Sequence, residues 1–158
     1  MSAAAVSVRP AVAADRSAIL GLAPRLAEGV APWRDQGAAR NAGRKWLDGS
    51  LDDALAGTGA VFVAVEQGDL VGVISVHPST HFTGEQDGYI GELAVSGSTS
   101  RRGLGRALVQ AAEAWAREHQ LENLTLHTGA YNTSARAFYA ALGFDEEEVR
   151  LTRPVRPA

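Results

Sequence analysis

The chain has 158 residues, of which 46% are hydrophobic and 21% charged, with a formal net charge of -3 at pH 7 and no cysteine. This length and composition predict one globular domain over residues 1–158 rather than a disordered chain. The slightly negative net charge argues against binding to nucleic acid or to an anionic membrane. The lack of cysteine excludes disulfides and thiolate metal sites.

The N-terminal part predicts a strand followed by helices. MSAAAVSVRP has no apolar core long enough for a secretory signal, and no segment approaches the ~20 apolar residues of a membrane span, so we expect a cytoplasmic protein. The residues VSVRP alternate like a short strand, and DRSAILGLAPRL has apolar residues at helical spacing. Residues 30–58 predict helical pieces broken at Gly43 and Gly49.

The middle of the chain predicts three neighbouring strands. AVFVAVE and LVGVISVH lie on either side of a turn at Gly68 and Asp69 and have the pattern of a β-hairpin. A polar loop over residues 78–88 leads to the third strand, YIGELAV. Strands with such short or polar connections form an antiparallel meander.

The second half of the chain alternates helix and strand. Apolar residues recur at the spacing of a helix with one buried face: Leu104, Ala107, Leu108, Ala111 and Trp115. The strand LTLHT follows, and NTSARAFYAALG predicts a helix that Asn132 or Thr133 caps and Gly143 ends. The tail FDEEEVRLTRPV predicts one more strand. The order of elements predicts an α/β fold, a mixed sheet with helices on both faces.

The segment ELAVSGSTSRRGLGRALV, residues 92–109, predicts an anion site where the third strand leads into the helix. A helix N-terminus presents N–H groups and partial positive charge, and Gly103 and Gly105 lack the Cβ atoms that would keep a ligand away from them. Three arginines add positive charge: Arg101, Arg102 and Arg106. Phosphate or pyrophosphate is the expected ligand. Dinucleotide and P-loop motifs do not fit, because Leu108 stands where glycine or alanine is required and no G-x-x-x-x-G-K-S/T occurs.

Three segments carry a family resemblance. SRRGLG, residues 100–105, resembles the acetyl-CoA motif Q/R-x-x-G-x-G/A of the GCN5-related N-acetyltransferase superfamily, with Ser100 in place of the usual Gln or Arg. GELAV resembles the strand before that motif, and NTSARAFYAALGF resembles the family's N-x-x-A/S-x-x-F/L-Y-x-x-x-G-F segment. The resemblance covers nearly the whole chain. It implies a mostly antiparallel, twisted sheet of about six to seven strands that splays apart between strands 4 and 5.

The resemblance implies an acetyl-CoA-dependent N-acetyltransferase, in which a primary amine attacks the thioester directly in a ternary complex. The strand backbone would pair with the pantetheine arm and the acetyl carbonyl, and the amides after it would hold the pyrophosphate. The cofactor-binding residues implied in this way are Leu93, Ala94, Val95, Ser100, Arg101, Arg102, Gly103, Leu104, Gly105, Arg106, Asn132, Ala135 and Tyr139. The alternative is a non-catalytic acyl-CoA-binding sensor or regulatory module.

Acetyl transfer to an amine needs a proton donor for the leaving thiolate and an acceptor for the amine proton. Tyr139 matches the family tyrosine that lies near the cofactor sulfur, although a core aromatic is the alternative reading. For the base, Glu92 and His127 are the candidates, and water could serve instead. The alternative readings are a solvated strand carboxylate for Glu92 and a hydrogen-bonded interior histidine for His127. Tyr89 stands where the histone-acetylating branch carries its glutamate.

The acceptor, a small-molecule or peptide amine, is expected beside residues 30–58 and the loop 78–88. Apolar walls and carboxylates there suit a cationic amine: Trp33, Trp46, Phe82, Glu85, Asp87 and Glu92. His77 and His81 fit no usual metal-ligand spacing, so no metal site is expected. An exposed last strand favours a homodimer, because free strand edges invite pairing.

Overall fold

The fold is built on one sheet. A computed structural model of the chain describes residues 5–97 and 103–157. Five strands follow one another across the sheet in chain order, the first four pairing antiparallel and the fifth parallel to the fourth. They are β1 (Val6–Pro10), β2 (Ala60–Glu66), β3 (Asp69–Thr80), β4 (Gln86–Val95) and β5 (Asn123–Thr125).

Helices cover both faces of this sheet, as predicted. They are α1 (Arg16–Leu20), α2 (Gln36–Leu55), α3 (Leu104–Glu118) and α4 (Thr133–Ala141), with 3-10 turns at Ala13–Asp15 and Ala23–Ala27. Strand alternation divides the core into two buried clusters. The cluster under α1 and α2 includes Ile19, Leu47, Leu51, Val63 and Val73. The cluster under α3 includes Ile74, Val76, Leu104, Leu108 and Ala112.

Residues 36–55 form one continuous helix, so the prediction of pieces broken at Gly43 and Gly49 is wrong. A Cβ on Gly43 would lie 3.1 Å from the Cβ of Leu26, and the glycine therefore lets the turn Ala23–Ala27 approach the helix closely. The burial of Leu47 and Leu51 outweighs the intrinsic cost of glycine in a helix, about 1 kcal/mol. No helix in the described part of the chain is long and apolar enough to cross a membrane.

The connections between strands are shorter than predicted. The β2–β3 turn falls at Gln67 and Gly68, which both have positive φ, one residue earlier than expected. Strands β3 and β4 pair as far as Thr80 and Gln86. The polar loop therefore shrinks from residues 78–88 to 81–85.

Residues 144–157 contain no strand, so the prediction of a strand in the tail is wrong. The described sheet consequently has five strands rather than about six to seven. Three tail carboxylates bind side chains from other parts of the fold: Glu146 with Arg136, Glu147 with His81 and Glu148 with His127. Strand β5 is only three residues long and offers a short edge to pair with. The apolar tail residues Val149, Leu151 and Val155 remain exposed.

Candidate active site

Strands β4 and β5 separate partway along the sheet. Residues 123–125 of β5 pair with Asp87, Gly88 and Tyr89 of β4, and the pairing ends there. Strand β4 continues to Val95, still paired with β3 on its other side. The predicted splay between strands 4 and 5 is therefore confirmed, and it begins directly after Tyr89.

A β-bulge lies at the start of this gap. Ile74 pairs with Leu93 and Val76 pairs with Ile90, so Ser75 alone faces both Gly91 and Glu92. The Ser75 hydroxyl accepts a hydrogen bond from the Glu92 N–H at 2.9 Å and donates one to the Glu92 carboxylate. A bulge bends its strand and increases the local twist, and this one does so where β4 leaves β5. Ser75 was not among the predicted site residues, and its signal in the sequence is a serine inside the apolar run LVGVISVH.

The peptide groups of Leu93 and Val95 face the gap. The Ser96 N–H donates to the Val71 carbonyl of β3 at 2.8 Å, and N–H groups alternate in direction along a strand. Leu93 and Val95 therefore turn their N–H and C=O groups away from β3, as pairing with a pantetheine arm requires. The peptide groups of Ala94 face β3, and its side chain is buried under α1 and α2.

The N-terminus of α3 follows the gap in the chain. Gly103 is the N-cap with φ of 74°, a left-handed conformation that glycine adopts without strain, and no atom lies within 4 Å of a Cβ built there. The first intrahelical bond runs from the Ala107 N–H to the Gly103 carbonyl, so the N–H groups of residues 104–106 precede it. Leu104 is buried, and Arg106 is exposed. Ser100, Arg101 and Arg102 lie outside the described residues.

Gly105 has a packing role that the sequence analysis did not foresee. A Cβ on Gly105 would lie 3.0 Å from the Cζ of Phe138, on α4. The glycine therefore allows α3 and α4 to approach each other. Consequently a larger residue at position 105 would disturb the position of α4 as well as the helix N-terminus.

Tyr139 lies on α4 and lines a large open cleft of about 1590 Å³. Its ring packs between those of Phe138 and Phe144, with centroids 5.1 and 5.5 Å away. Burial raises the pKa of the phenol to about 12. The hydroxyl makes no hydrogen bond to a described residue. The phenol is therefore protonated at neutral pH and available as a donor.

His127 follows β5, is exposed, and lines the same cleft. Its Nδ1 lies 2.9 Å from the Tyr89 hydroxyl, and its Nε2 lies 3.4 Å from a Glu148 carboxylate oxygen. Burial raises the pKa of Tyr89, and the negative charge of Glu92 adds to the shift. Tyr89 therefore keeps its proton at neutral pH, and its hydroxyl can donate to Nδ1 whenever that nitrogen carries no hydrogen. The sequence analysis proposed His127 but missed this contact.

The second candidate base, Glu92, lies elsewhere. It is 5% exposed and does not line the cleft. The Ser50 hydroxyl of α2 lies 3.0 Å from both carboxylate oxygens, and Ser75 donates to one of them. Glu92 thus projects to the face opposite Leu93, as strand alternation predicted, but it is held beneath α2 rather than solvated. The structure brings together Tyr89, His127 and Tyr139 around the cleft and leaves Glu92 outside it.

Asn132 caps α4, as one of the two predicted caps, and also contacts the loop before α2. Its Oδ1 accepts from the Ala135 N–H at 3.2 Å, which caps α4, and its Nδ2 donates to the Glu28 carbonyl at 3.3 Å. Gly29, with φ of 78°, lies so close that a Cβ on it would be 2.1 Å from the Asn132 Cβ. The loop before α2 and the loop before α4 therefore meet across the open end of the gap.

The cleft wall contains part of the expected acceptor site. Trp33 and Tyr131 line it and pack edge to face with centroids 5.6 Å apart, both more than half exposed. Phe82 and Asp87 also line the cleft, whereas Trp46 and Glu85 do not. No group of three or more side chains that could hold a metal ion occurs within residues 5–97 and 103–157.

Comparison with known proteins bears out the resemblance. The model of the acetyltransferase (GNAT) family matches residues 27–144, which is most of the chain. No curated protein matches the chain.

Solved structures share the fold. An aminoglycoside N-acetyltransferase, AAC(6')-Iy, in complex with CoA has a TM-score of 0.72 and 19% identity, with 99% of this chain and 98% of that chain covered. A Trypanosoma brucei acetyltransferase has a TM-score of 0.67 and 24% identity, with 96% and 100% covered. A transcriptional regulator from Bacillus halodurans has a TM-score of 0.67 and 22% identity, with 96% and 100% covered. With this fold and a family match over most of its length, the chain belongs to the acetyltransferase (GNAT) family.

Proposed function

We propose that the chain is an acetyl-CoA-dependent N-acetyltransferase that transfers the acetyl group to a primary amine by direct attack in a ternary complex. The observation that carries this proposal is the open edge of β4, where the peptide groups of Leu93 and Val95 face the gap. Pantetheine is an extended chain with amide groups, and it can pair with such an edge as an added strand does. The α3 N-terminus at Gly103 suits the pyrophosphate.

The chemistry follows from these groups. The amine nitrogen attacks the acetyl carbonyl carbon, and the new N–C bond places negative charge on the carbonyl oxygen. The Leu93 N–H supports this charge from the gap, as an oxyanion-hole donor does. The C–S bond then breaks, and the departing thiolate takes the phenol proton of Tyr139, which burial has kept in place at neutral pH.

An alkylammonium ion must lose two protons to become an amide. One passes to solvent before the attack, because free alkylamines are protonated at neutral pH, and the other leaves as the N–C bond forms. Tyr89 is the last β4 residue before the gap, and it donates to the Nδ1 of His127. We assign proton removal to this pair: the Tyr89 oxygen takes the amine proton while its own proton passes to Nδ1. The resulting imidazolium faces the Glu148 carboxylate, which stabilises its charge.

Replacing Tyr89 by phenylalanine should lower kcat about tenfold, because the relay is broken while water can still accept the amine proton. Acetyl-CoA affinity should change by less than about twofold, since the arm pairs with backbone groups further along β4. Steady-state kinetics with wild type, Tyr89→Phe and His127→Asn measures this. Tyr89→Phe and His127→Asn should lower kcat by similar factors, and the double variant should lower kcat by no more than either single variant. If the two reductions in kcat multiply in the double variant, Tyr89 and His127 do not act on the same proton pathway.

The acceptor is proposed to be a small-molecule amine. The exposed aromatic pair Trp33 and Tyr131 offers ring faces beside the cleft, and Asp87 and Glu148 supply negative charge. Aromatic faces and carboxylates together suit a cationic amine with a ring or an apolar portion. That several proteins of the same fold are named as aminoglycoside acetyltransferases supports this choice of class.

The proposed activity is tested by two measurements on the wild-type chain. Calorimetric titration should show saturable acetyl-CoA binding, and free thiol should appear when a suitable amine from a panel of aminoglycosides, polyamines and peptides is added. No binding at about 1 mM acetyl-CoA, the upper end of usual KM values, would contradict the proposal. Binding without thiol release from any amine would favour the non-catalytic acyl-CoA module instead.

A further inference from the structure

A short segment, residues 25–29, spans the open end of the gap between β4 and the loop before α4. On one side, Arg25 donates from Nε to the Val95 carbonyl at 3.0 Å. On the other side, the Glu28 carbonyl accepts from Asn132, and Gly29 packs against the same residue. The segment therefore connects β4 with the loop that follows β5, on the two sides of the gap that begins after Tyr89.

The Arg25 guanidinium has a fixed place at this end of β4. Its Nη1 pairs with the Glu28 carboxylate at 2.6 Å, which orients the guanidinium plane. A Cβ built on Gly97 would lie 3.7 Å from the same Nη1, so the group also reaches the first residues after β4. The Val95 carbonyl faces the gap and has two lone pairs, of which Arg25 uses one. Within residues 5–97 and 103–157 no other side chain donates to this carbonyl, so a ligand amide can use its second lone pair.

We propose that Arg25 is a positioning residue for acetyl-CoA, which holds the Val95 carbonyl in place and fixes the width of the gap. This inference rests on the proposed function, because it assumes that the pantetheine arm pairs with Val95. Arg25 precedes residues 27–144, which the family model matches, and the contact spans 70 residues of sequence. The role is therefore inferred from the structure of this chain and not from the family motif.

The experiment compares Arg25→Met, Arg25→Leu and Arg44→Met with wild type. Methionine keeps much of the length and apolar stem of the side chain but cannot donate to Val95, so KM for acetyl-CoA should rise about tenfold. The values of kcat and of KM for the amine should stay within about twofold, since no reacting atom is touched. Arg44→Met is the matched control, because Arg44 is exposed on α2 and does not line the cleft, and it should keep the wild-type KM for acetyl-CoA.

Several outcomes overturn the proposal. An unchanged or lowered KM for acetyl-CoA in Arg25→Met shows that the guanidinium does not position the cofactor or competes with it. A loss confined to kcat shows a role in chemistry instead. If Arg25→Met does not fold, Arg25→Leu carries the test, because leucine is also apolar, cannot donate to Val95 and should show the same shift in KM. Failure of the wild-type chain to bind acetyl-CoA defeats the proposed function itself, whereas wild-type binding with unaffected variants defeats only the role of Arg25.

Discussion

Replacing Tyr139 by phenylalanine should lower kcat about 100-fold, the usual scale of one general acid, while acetyl-CoA affinity and stability stay nearly unchanged. The phenol has no hydrogen-bond partner among the described residues, so its removal leaves no polar group unpaired. The ring keeps its packing against Phe138 and Phe144. Stopped-flow or steady-state thiol release with wild type and variant measures the change. Equal kcat values would show that the thiolate leaves without this proton.

Tyr131→Phe is the matched control for this prediction. Tyr131 is exposed and lies in the loop before the same helix, so its variant should keep the wild-type kcat. The pH profile gives a second check. Since the pKa of Tyr139 is raised to about 12, the phenol keeps its proton through pH 10, and its ionisation cannot reduce the rate below that pH.

Replacing Glu92 by alanine should destabilise the fold by about 3 kcal/mol. The carboxylate accepts hydrogen bonds from Ser50 and Ser75, and its loss leaves both hydroxyls without that partner in a nearly closed site and opens a small cavity. The bulge in β4 would keep the bond from the residue 92 N–H to the Ser75 hydroxyl but lose the carboxylate contact with β3. Denaturant unfolding of wild type and variant measures the difference. A stability loss below about 1 kcal/mol would show that the buried carboxylate contributes little.

Glu92→Gln separates this structural role from that of a base. Glutamine keeps the shape and a carbonyl acceptor, so most stability and a kcat near the wild-type value should be retained. A drop of about 100-fold in kcat with unchanged stability would restore Glu92 as the base, against its position beneath α2.

The local patterns of the sequence predict the elements that form the site. The apolar stripe from Leu104 to Trp115 marks α3, and Gly103 directly before it marks the helix start. The predicted cap of α4 was Asn132 or Thr133, and the structure has Asn132. Alternation in YIGELAV predicts a strand and places Glu92 and Leu93 on opposite faces. These features depend on neighbours only a few residues away, which is why a single sequence reveals them.

The remaining features depend on partners far along the chain. The contact of Ser75 with Glu92 follows from the β3–β4 register and its bulge, which alternation alone does not give. The pairing of Tyr89 with His127 requires β5 to lie parallel to β4. The tail has the alternation of a strand, yet its carboxylates bind Arg136, His81 and His127 instead. A strand needs a facing edge as well as a pattern, and the pattern does not show whether that edge exists.

The bridge formed by residues 25–29 also bears on the order in which the protein folds. One of its hydrogen bonds joins residues that are 70 positions apart in the sequence, and another joins residues that are 104 positions apart. The β2–β3 turn and α3, in contrast, are held by hydrogen bonds between residues close together in the sequence. Closing long loops costs more chain entropy and slows folding, so distant contacts form after local ones. The slot for acetyl-CoA should therefore assemble late, on a sheet that is already in place, and bound cofactor should protect this region most strongly against local unfolding.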